Sequence, residues 1–328
     1  MANKERSGIP VLKIIAILLI CIIVVSASLL AINIWERKQG TVDGDDFVAT
    51  ESSIEFEGKK YTLKKDIETF LVIGLDKTDQ EVADSYNNNM QADFLLLLVI
   101  DNKNSSYSAV HINRDTMANM NVLGVAGDKV GTTNKQIALS HTYGNGKEVS
   151  CRNTADAVSE LLMGVKIDHF VSVKMDAVSV INDLVGGVEV EVLADFSGID
   201  DTLVKGKKVT LKGQQALTYV RTRYGLEDPS NNTRMERQQQ YINALYKAVK
   251  TSTENDKSFI ANASLKMTEY IVSDCSSNKL EKYFSKIQNY KFNNILDFEG
   301  KTKKGETFME FYPDEENIKE NVIKLFYE

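Results

Sequence analysis

Arginine is used sparingly in this chain. Of its 39 basic residues only eight are arginines, and four of those, Arg221, Arg223, Arg234 and Arg237, fall within seventeen residues. A guanidinium is a planar, permanently charged fork that matches phosphate and pyrophosphate oxygens two at a time, which the lysine used elsewhere cannot do. Arg221 and Arg223, two apart, point the same way if Tyr219 to Tyr224 leaves a helix as extended chain. Arg234 and Gln238, four apart, share one face at the start of the next helix, where free N–H groups and the helix dipole also favour an anion. A solvated charge run pairing with Glu227, Asp228 and Glu236 is the plainer alternative. Arg237 lies on another azimuth, and a structural role suits it as well as a functional one.

Acidic residues complement this. Asp76 follows the strand Phe70–Gly74 and Asp93 precedes the strand Phe94–Ile100. If those strands are antiparallel neighbours, both carboxylates lie at one edge of the sheet, where a diphosphate and water would complete a magnesium site. Turn and helix-capping roles compete with that reading, and Asp79 and Asp84 could substitute from the same loop. Arg114-Asp115-Thr116 ends the next strand, with Asp115 close enough to orient Arg114 on a phosphate; an isolated salt bridge is the alternative. His111, His141 and His169 show no metal-ligand spacing, and no Ser–His–Asp pattern is visible. Cys21, Cys151 and Cys275 are too few for a disulfide framework or a four-cysteine zinc site. Pairing of Cys151 with Cys275 is left open.

The elements around these residues alternate. Phe70 to Gly74, Phe94 to Ile100, Tyr107 to Ile112, His169 to Lys174 and Val188 to Leu193 read as strands. Helices are expected from Thr154 to Met163, capped by Asn153 and stopped by Gly164, and from Asp176 to Gly186-Gly187. Two more run over Gln214–Val220 and Arg234–Lys250, the last with Ile242, Leu245 and Val249 at helical spacing. Unbroken apolar strands interleaved with helices predict an α/β (α+β) sandwich around a covered central sheet. The 328 residues, 43% hydrophobic, can fill such a core, and only 3 Pro and 19 Gly exclude collagen-like or linker-type chains. A net charge of −7 argues against a nucleic-acid-coating protein.

Ile14 to Ile32 runs for nineteen residues without a charge. A helix of that length spans roughly 28 Å, close to a bilayer's hydrocarbon core. Lys4, Arg6 and Lys13 precede it and Trp35 follows, which suits a cytoplasmic N-terminus. Ser26-Ala27-Ser28 resembles a signal-peptide cleavage site, but the apolar run continues past it, favouring an uncleaved anchor. The expected organisation is a cytoplasmic N-terminus (1–13), a transmembrane signal anchor (14–35), a stalk with a small hairpin (36–65) and an extracytoplasmic catalytic domain (66–328). The protein would be single-pass in the cell membrane.

Several segments together resemble the LytR–CpsA–Psr family of cell-wall glycopolymer ligases. They are Phe70-Leu-Val-Ile-Gly-Leu-Asp76, Ala92-Asp93-Phe-Leu-Leu-Leu-Leu-Val99, Ile112-Asn-Arg-Asp-Thr-Met117 and Asp183-Leu-Val-Gly-Gly-Val-Glu-Val190. Leu211-Lys-Gly-Gln-Gln-Ala-Leu-Thr-Tyr-Val-Arg-Thr-Arg223 and Arg234-Met-Glu-Arg-Gln-Gln-Gln240 complete the set. The resemblance implies a phosphotransferase that moves an anionic glycopolymer (teichoic acid, capsule or another glycan) from a polyprenyl-pyrophosphate carrier to peptidoglycan. It also implies a central mixed sheet sandwiched by helices, with an apolar tunnel for the lipid. Arg114, Arg221, Arg223, Arg234 and Gln238 would bind the pyrophosphate, Asp76 and Asp93 would hold Mg²⁺, and Asp93 or Asp115 would act with Arg114 in catalysis. The chain departs from the family pattern at Gln91-Ala92, where an arginine is usual, at Asn113 for proline, and at Thr233 for glycine. A non-catalytic carrier-binding or regulatory membrane protein and a lipid pyrophosphatase are the alternatives.

Overall fold

A strand made from Phe94-Leu-Leu-Leu-Leu-Val-Ile100 offers no polar side chain to water, so it has to be covered on both faces. The computed structural model bears this out. It describes residues 52–76, 88–222, 225–227, 231–256, 258–275, 279, 282, 283, 286, 289–306 and 308–328. These fall into two compact units: Asp176–Glu269, and a larger one built from the residues before Asp176 together with Tyr270–Glu328.

The larger unit carries β1 (Ser53–Phe56), β2 (Lys59–Thr62), β3 (Ile67–Leu75), β4 (Ala92–Asp101), β5 (Ser106–Ile112), β6 (Met117–Leu123) and β7 (Lys129–Gln136). Helix α1 (Glu148–Leu161) and β8 (His169–Lys174) follow. The smaller unit holds α2 (Ala177–Leu184), β9 (Val188–Glu191), β10 (Lys208–Leu211), α3 (Gln214–Arg221), α4 (Asn231–Asn255) and α5 (Phe259–Met267). The chain then returns to the larger unit with β11 (Ile271–Ser273), β12 (Lys291–Asp297), β13 (Gly300–Lys304), β14 (Met309–Pro313) and α6 (Glu315–Phe326).

Six strands form the expected central mixed sheet, in the order β11-β8-β3-β4-β5-β12. β4 is antiparallel to β3 and β5, whereas β3–β8 and β5–β12 are parallel pairs. On one face Leu71, Ile73, Leu95, Leu97, Val99 and Val110 pack with Cys151, Ala155 and Val158 of α1 and with Ile318, Val322 and Phe326 of α6. The alternate residues Phe70, Val72, Leu96, Leu98 and Ile100 are buried too. Each such side chain contributes about 1.5–3 kcal/mol of burial, so this sheet is the rigid part on which the first set of candidate residues sits.

The expected hairpin at Ile54–Leu63 is β1–β2, turning through Glu57 and Gly58, both at positive φ. It is tied to the end of the chain: the Thr62 and Glu328 backbones exchange two 2.8 Å hydrogen bonds, and Lys64 Nζ donates to the Leu325 carbonyl at 2.9 Å. Helix α1 starts at Glu148, six residues before the expected Thr154. Asn153 is no cap. Its buried amide donates to the Asn121 and Ser140 carbonyls and stitches α1 to the β6–β7 hairpin side.

In the smaller unit α4 lays Tyr241, Leu245 and Val249 inward at four-residue spacing. The Asn182 amide donates to the Leu211 carbonyl, and the Tyr241 hydroxyl donates to Asn182 Oδ1, joining α2, β10 and α4. Gly187 lies at φ +101 with the Leu211 carbonyl 2.8 Å from where a Cβ would be, so only glycine passes there. Ile14–Ile32 lies outside the described residues; among the described residues no helix is long and apolar enough to cross a membrane.

Cys151 and Cys275 are both free and buried, and burial pushes each thiol up to about 12. Cys151 Sγ lies 3.6 Å from Nε2 of the fully buried His141, whose Nδ1 is 3.0 Å from the Met90 carbonyl. A carbonyl only accepts, so Nδ1 carries the proton and Nε2 accepts from the thiol. Burial lowers the His141 pKa to about 4. A folded-state value below the unfolded one makes its contribution fully present above pH ~6.5 and lost as pH falls through ~4. We predict that about 3 kcal/mol of stability disappears over this window from His141 alone. Urea midpoints at pH 7 and pH 4 should converge in His141→Gln relative to the parent; an unchanged difference would refute the assignment.

Candidate functional site

The first cluster is built where β3 and β4 end. Their ladder runs in register from Ile67↔Asp101 to Gly74↔Phe94 and then shifts, so that Leu75 opposes Ala92 and Asp93 is the extra residue. Such a bulge re-aims a side chain. The antiparallel pairing puts Asp76 and Asp93 at the same edge of the sheet, as the sequence led us to expect. The Gln91 backbone links them: its N–H donates to Asp76 Oδ1 at 3.3 Å, and its carbonyl accepts from the Asp93 N–H at 3.1 Å. Gly74 permits the approach, because an added Cβ would lie 2.9 Å from the Phe94 Cβ.

Arg114 reaches this edge from the end of β5. Its Nη1 donates to Asp93 Oδ1, its Nη2 donates to Gln91 Oε1 at 2.6 Å, and its Nε lies 3.5 Å from Asp115 Oδ1. The turn that carries it is made by Asn113, which stands where the family pattern often has proline. The Asn113 side chain accepts from the Asp115 N–H at 3.0 Å and its carbonyl accepts from the Thr116 N–H at 3.0 Å. An Asx turn thus does by hydrogen bonding what proline does by fixing φ. Asp115 is held from the other side: Gln136 Nε2 donates to its Oδ1 at 2.9 Å and to the Met309 carbonyl at 2.6 Å. Gln91 and Gln136 were not singled out from sequence. Gln91 is one of the two residues standing where an arginine is usual, and that departure was the available signal.

The second cluster lies in the smaller unit, on α3 and α4. Arg221 is the last residue of α3 and is exposed, and Arg234, in the first turns of α4, is half-buried. Gln238 donates from Nε2 to the Val220 carbonyl at 3.1 Å. Arg237 is 1% exposed: Nε donates to the Tyr219 carbonyl at 3.0 Å, Nη2 donates to the Thr222 carbonyl, and the guanidinium lies 5.5 Å from the Phe196 ring centre. Burial lowers its pKa, and Arg234 adds to that. This decides the open question about Arg237 for structure. The Tyr219 hydroxyl, pushed up to about 12 by burial, donates to Gln240 Oε1 at 2.6 Å. Arg223, Asp79 and Asp84 lie outside the described residues.

The donor set at the sheet edge suits magnesium. Two carboxylates, Asp76 and Asp93, are hard oxygen ligands, and Mg²⁺ commonly takes one or two of these and leaves the rest of its shell to phosphate and water. Among the described residues no group of three or more His, Cys, Asp or Glu is arranged to hold a metal by itself. The Arg114 guanidinium meets two of the carboxylates here, Asp93 and Asp115.

The LytR_cpsA_psr family matches residues 36–325. The chain is 29% identical over 182 residues to the polyisoprenyl-teichoic acid–peptidoglycan teichoic acid transferase TagU of Enterococcus faecalis, covering 55% of this chain and 52% of that protein. The chain thus spans about half the length of that relative. Among solved structures, that of Bacillus subtilis TagV has a TM-score of 0.53 at 24% identity and covers 80% of this chain and 97% of its own. A structure of TagT bound to LI-WTA has a TM-score of 0.51 at 20% identity, covering 80% and 90%. At these identities the two structures show a shared fold.

The close approach at Gly74 gives a direct test of the bulge. Gly74→Ala should cost about 1–3 kcal/mol, because the added methyl drives Phe94, and Asp93 with it, away from β3. Equilibrium unfolding in urea reads the loss; a variant as stable as the parent would mean that the strand ends are not so tightly packed.

Proposed function

The chain belongs to the LytR–CpsA–Psr family, and we propose from that premise that it is an extracytoplasmic phosphotransferase. It would move an anionic glycopolymer from a polyprenyl-pyrophosphate carrier to peptidoglycan. The observation that carries the reading is Arg114 forked between Asp93 and Gln91, with Asp76 and Asp115 beside it at one sheet edge. A permanent cation among hard oxygen ligands suits a diphosphate with its metal; it does not suit acyl transfer or redox chemistry. The relatives named for teichoic acid transfer support teichoic acid as the polymer.

In this reading the acceptor hydroxyl forms a bond to the phosphorus that bears the glycopolymer. The bond from that phosphorus to the bridging oxygen breaks, and polyprenyl phosphate leaves. Charge develops on the phosphoryl oxygens and the leaving group, so catalysis is mostly positioning and electrostatic stabilisation. By the family resemblance, holding the diphosphate would fall to Arg114, Arg221, Arg223, Arg234 and Gln238. Mg²⁺ held by Asp76 and Asp93 would supply neutralising charge for the diphosphate oxygens. Asp93 or Asp115 would take the acceptor's proton. We further infer that Ile14–Ile32 anchors the chain in the cytoplasmic membrane and that an apolar tunnel receives the polyprenyl tail.

One observation favours a second reading. Gln91 is neutral where the family usually carries an arginine, so the site has one cation fewer, which a carrier-binding protein without turnover would tolerate.

Magnesium-dependent release of polyprenyl phosphate by the purified chain, followed by mass spectrometry, separates the two. Turnover that stops with a chelator supports the transferase, and stoichiometric binding without release supports the module. Product linked to water instead of glycan would indicate a pyrophosphatase. Arg221→Ala or Arg223→Ala should each remove about 2–4 kcal/mol of transition-state stabilisation, as for the loss of one preorganised donor. Unaltered transfer rates in both variants would refute the arginine assignment.

A further inference from the structure

A helix ends with four carbonyls that lack partners inside it, and a glycine at the following position commonly satisfies them by turning left-handed. Helix α3 has no such glycine. Its C-cap is Thr222, in extended conformation at φ −60 and ψ 132, and the next glycine in the sequence is Gly225. The carbonyls are met from α4 instead. Arg237 takes those of Tyr219 and Thr222, and Gln238 takes that of Val220. A cation there also complements the negative end of the α3 dipole.

Stability alone explains this poorly. Arg237 is 1% exposed, and its Nη1 makes no hydrogen bond among the described residues. A buried, incompletely satisfied charge is often replaceable by an apolar side chain of similar volume at no loss of stability. What the arginine does supply is direction. The Tyr219 and Val220 carbonyls immediately precede Arg221, and the Thr222 carbonyl follows it. Fixing the three fixes the backbone that carries Arg221.

We propose that Arg237 is a positioning residue, which sets Arg221, at the end of α3, on a phosphate-bearing ligand by clasping the carbonyls on either side of it. This rests on the phosphotransferase reading. The fork is essential, because one side chain spans two carbonyls three residues apart; Lys has a single nitrogen and cannot.

The test uses the full chain in detergent, with inorganic pyrophosphate and Mg²⁺ as the probe in titration calorimetry, and transfer kinetics beside it. Arg237→Met removes the clasp and keeps the buried volume. It should melt near the parent, bind pyrophosphate about tenfold to a hundredfold more weakly, and lower kcat with the acceptor KM unchanged. Arg237→Lys keeps the charge without the fork and should restore the binding only in part; it also decides the matter if the Met variant does not fold. Parental affinity per folded molecule in Arg237→Met, or full restoration in Arg237→Lys, overturns the positioning role. A parent chain that binds no pyrophosphate overturns the phosphotransferase reading, and this proposal with it, so the two failures are told apart.

Discussion

The antiparallel pairing of β3 with β4 is the constraint on which the first cluster depends. Eight successive pairs, from Ile67↔Asp101 to Gly74↔Phe94, lock the register before it breaks at Asp93. A slip of one residue would turn every side chain to the opposite face, and with both faces buried in apolar contacts no slip is tolerated. The ladder therefore delivers Asp76, Gln91 and Asp93 to the same edge as a consequence of core packing, without any interaction among the polar groups themselves. Arg114 arrives on β5, whose pairing with β4 is just as regular, from Leu95↔Ile112 to Asp101↔Ser106. Polar side chains of this kind gain little by meeting in water; a sheet that fixes their backbones removes most of the entropy that would oppose them.

The second cluster answers to a different constraint, the unfinished end of a helix. α3 stops at Arg221 with carbonyls exposed, and α4 returns alongside to meet them with Arg237 and Gln238. The same α4 residues that close the helix follow Arg234 by three and four positions. Two functions thus share one stretch: Arg234, half-buried on the first turns, remains a candidate for phosphate, while Arg237 is consumed by structure. Gln238, expected on the phosphate, has its amide nitrogen on the Val220 carbonyl. A single phosphate oxygen lone pair cannot also take that hydrogen, so any contact of Gln238 with ligand would use its second N–H.

The legible part of the sequence was the part governed by burial. Phe70–Gly74, Phe94–Ile100 and Tyr107–Ile112 are strands because nothing in them can face water, and the Asp76–Asp93 proximity followed from their pairing. The illegible part was governed by polar satisfaction. β7, Lys129-Val-Gly-Thr-Thr-Asn-Lys-Gln136, is exposed nearly throughout, so no alternation marks it, yet its last residue Gln136 is buried and holds Asp115. Helix α1 begins early because Asn153, which read as its cap, is buried and bonded to the Ser140 carbonyl, and Ser150 before it is buried and bonded to the Tyr143 carbonyl. The azimuth of Arg237 set it apart from Arg234, but only coordinates tell a buried carbonyl clasp from a solvated charge.

The balance of charge at the sheet edge carries the argument one step further. With an arginine at the Gln91–Ala92 position a second cation would stand beside Asp93; with Gln91 the guanidinium of Arg114 meets Asp93 and Asp115 with a neutral amide as its neighbour. Gln91 Oε1 accepts from Arg114, where a second guanidinium would repel it, so the exchange makes Arg114 better held and the edge more negative. On the phosphotransferase reading proposed above, the departure at position 91 would shift the work of attracting the substrate away from fixed arginine and towards a metal ion. On that same reading the chain should depend more steeply on magnesium than a relative that keeps the arginine.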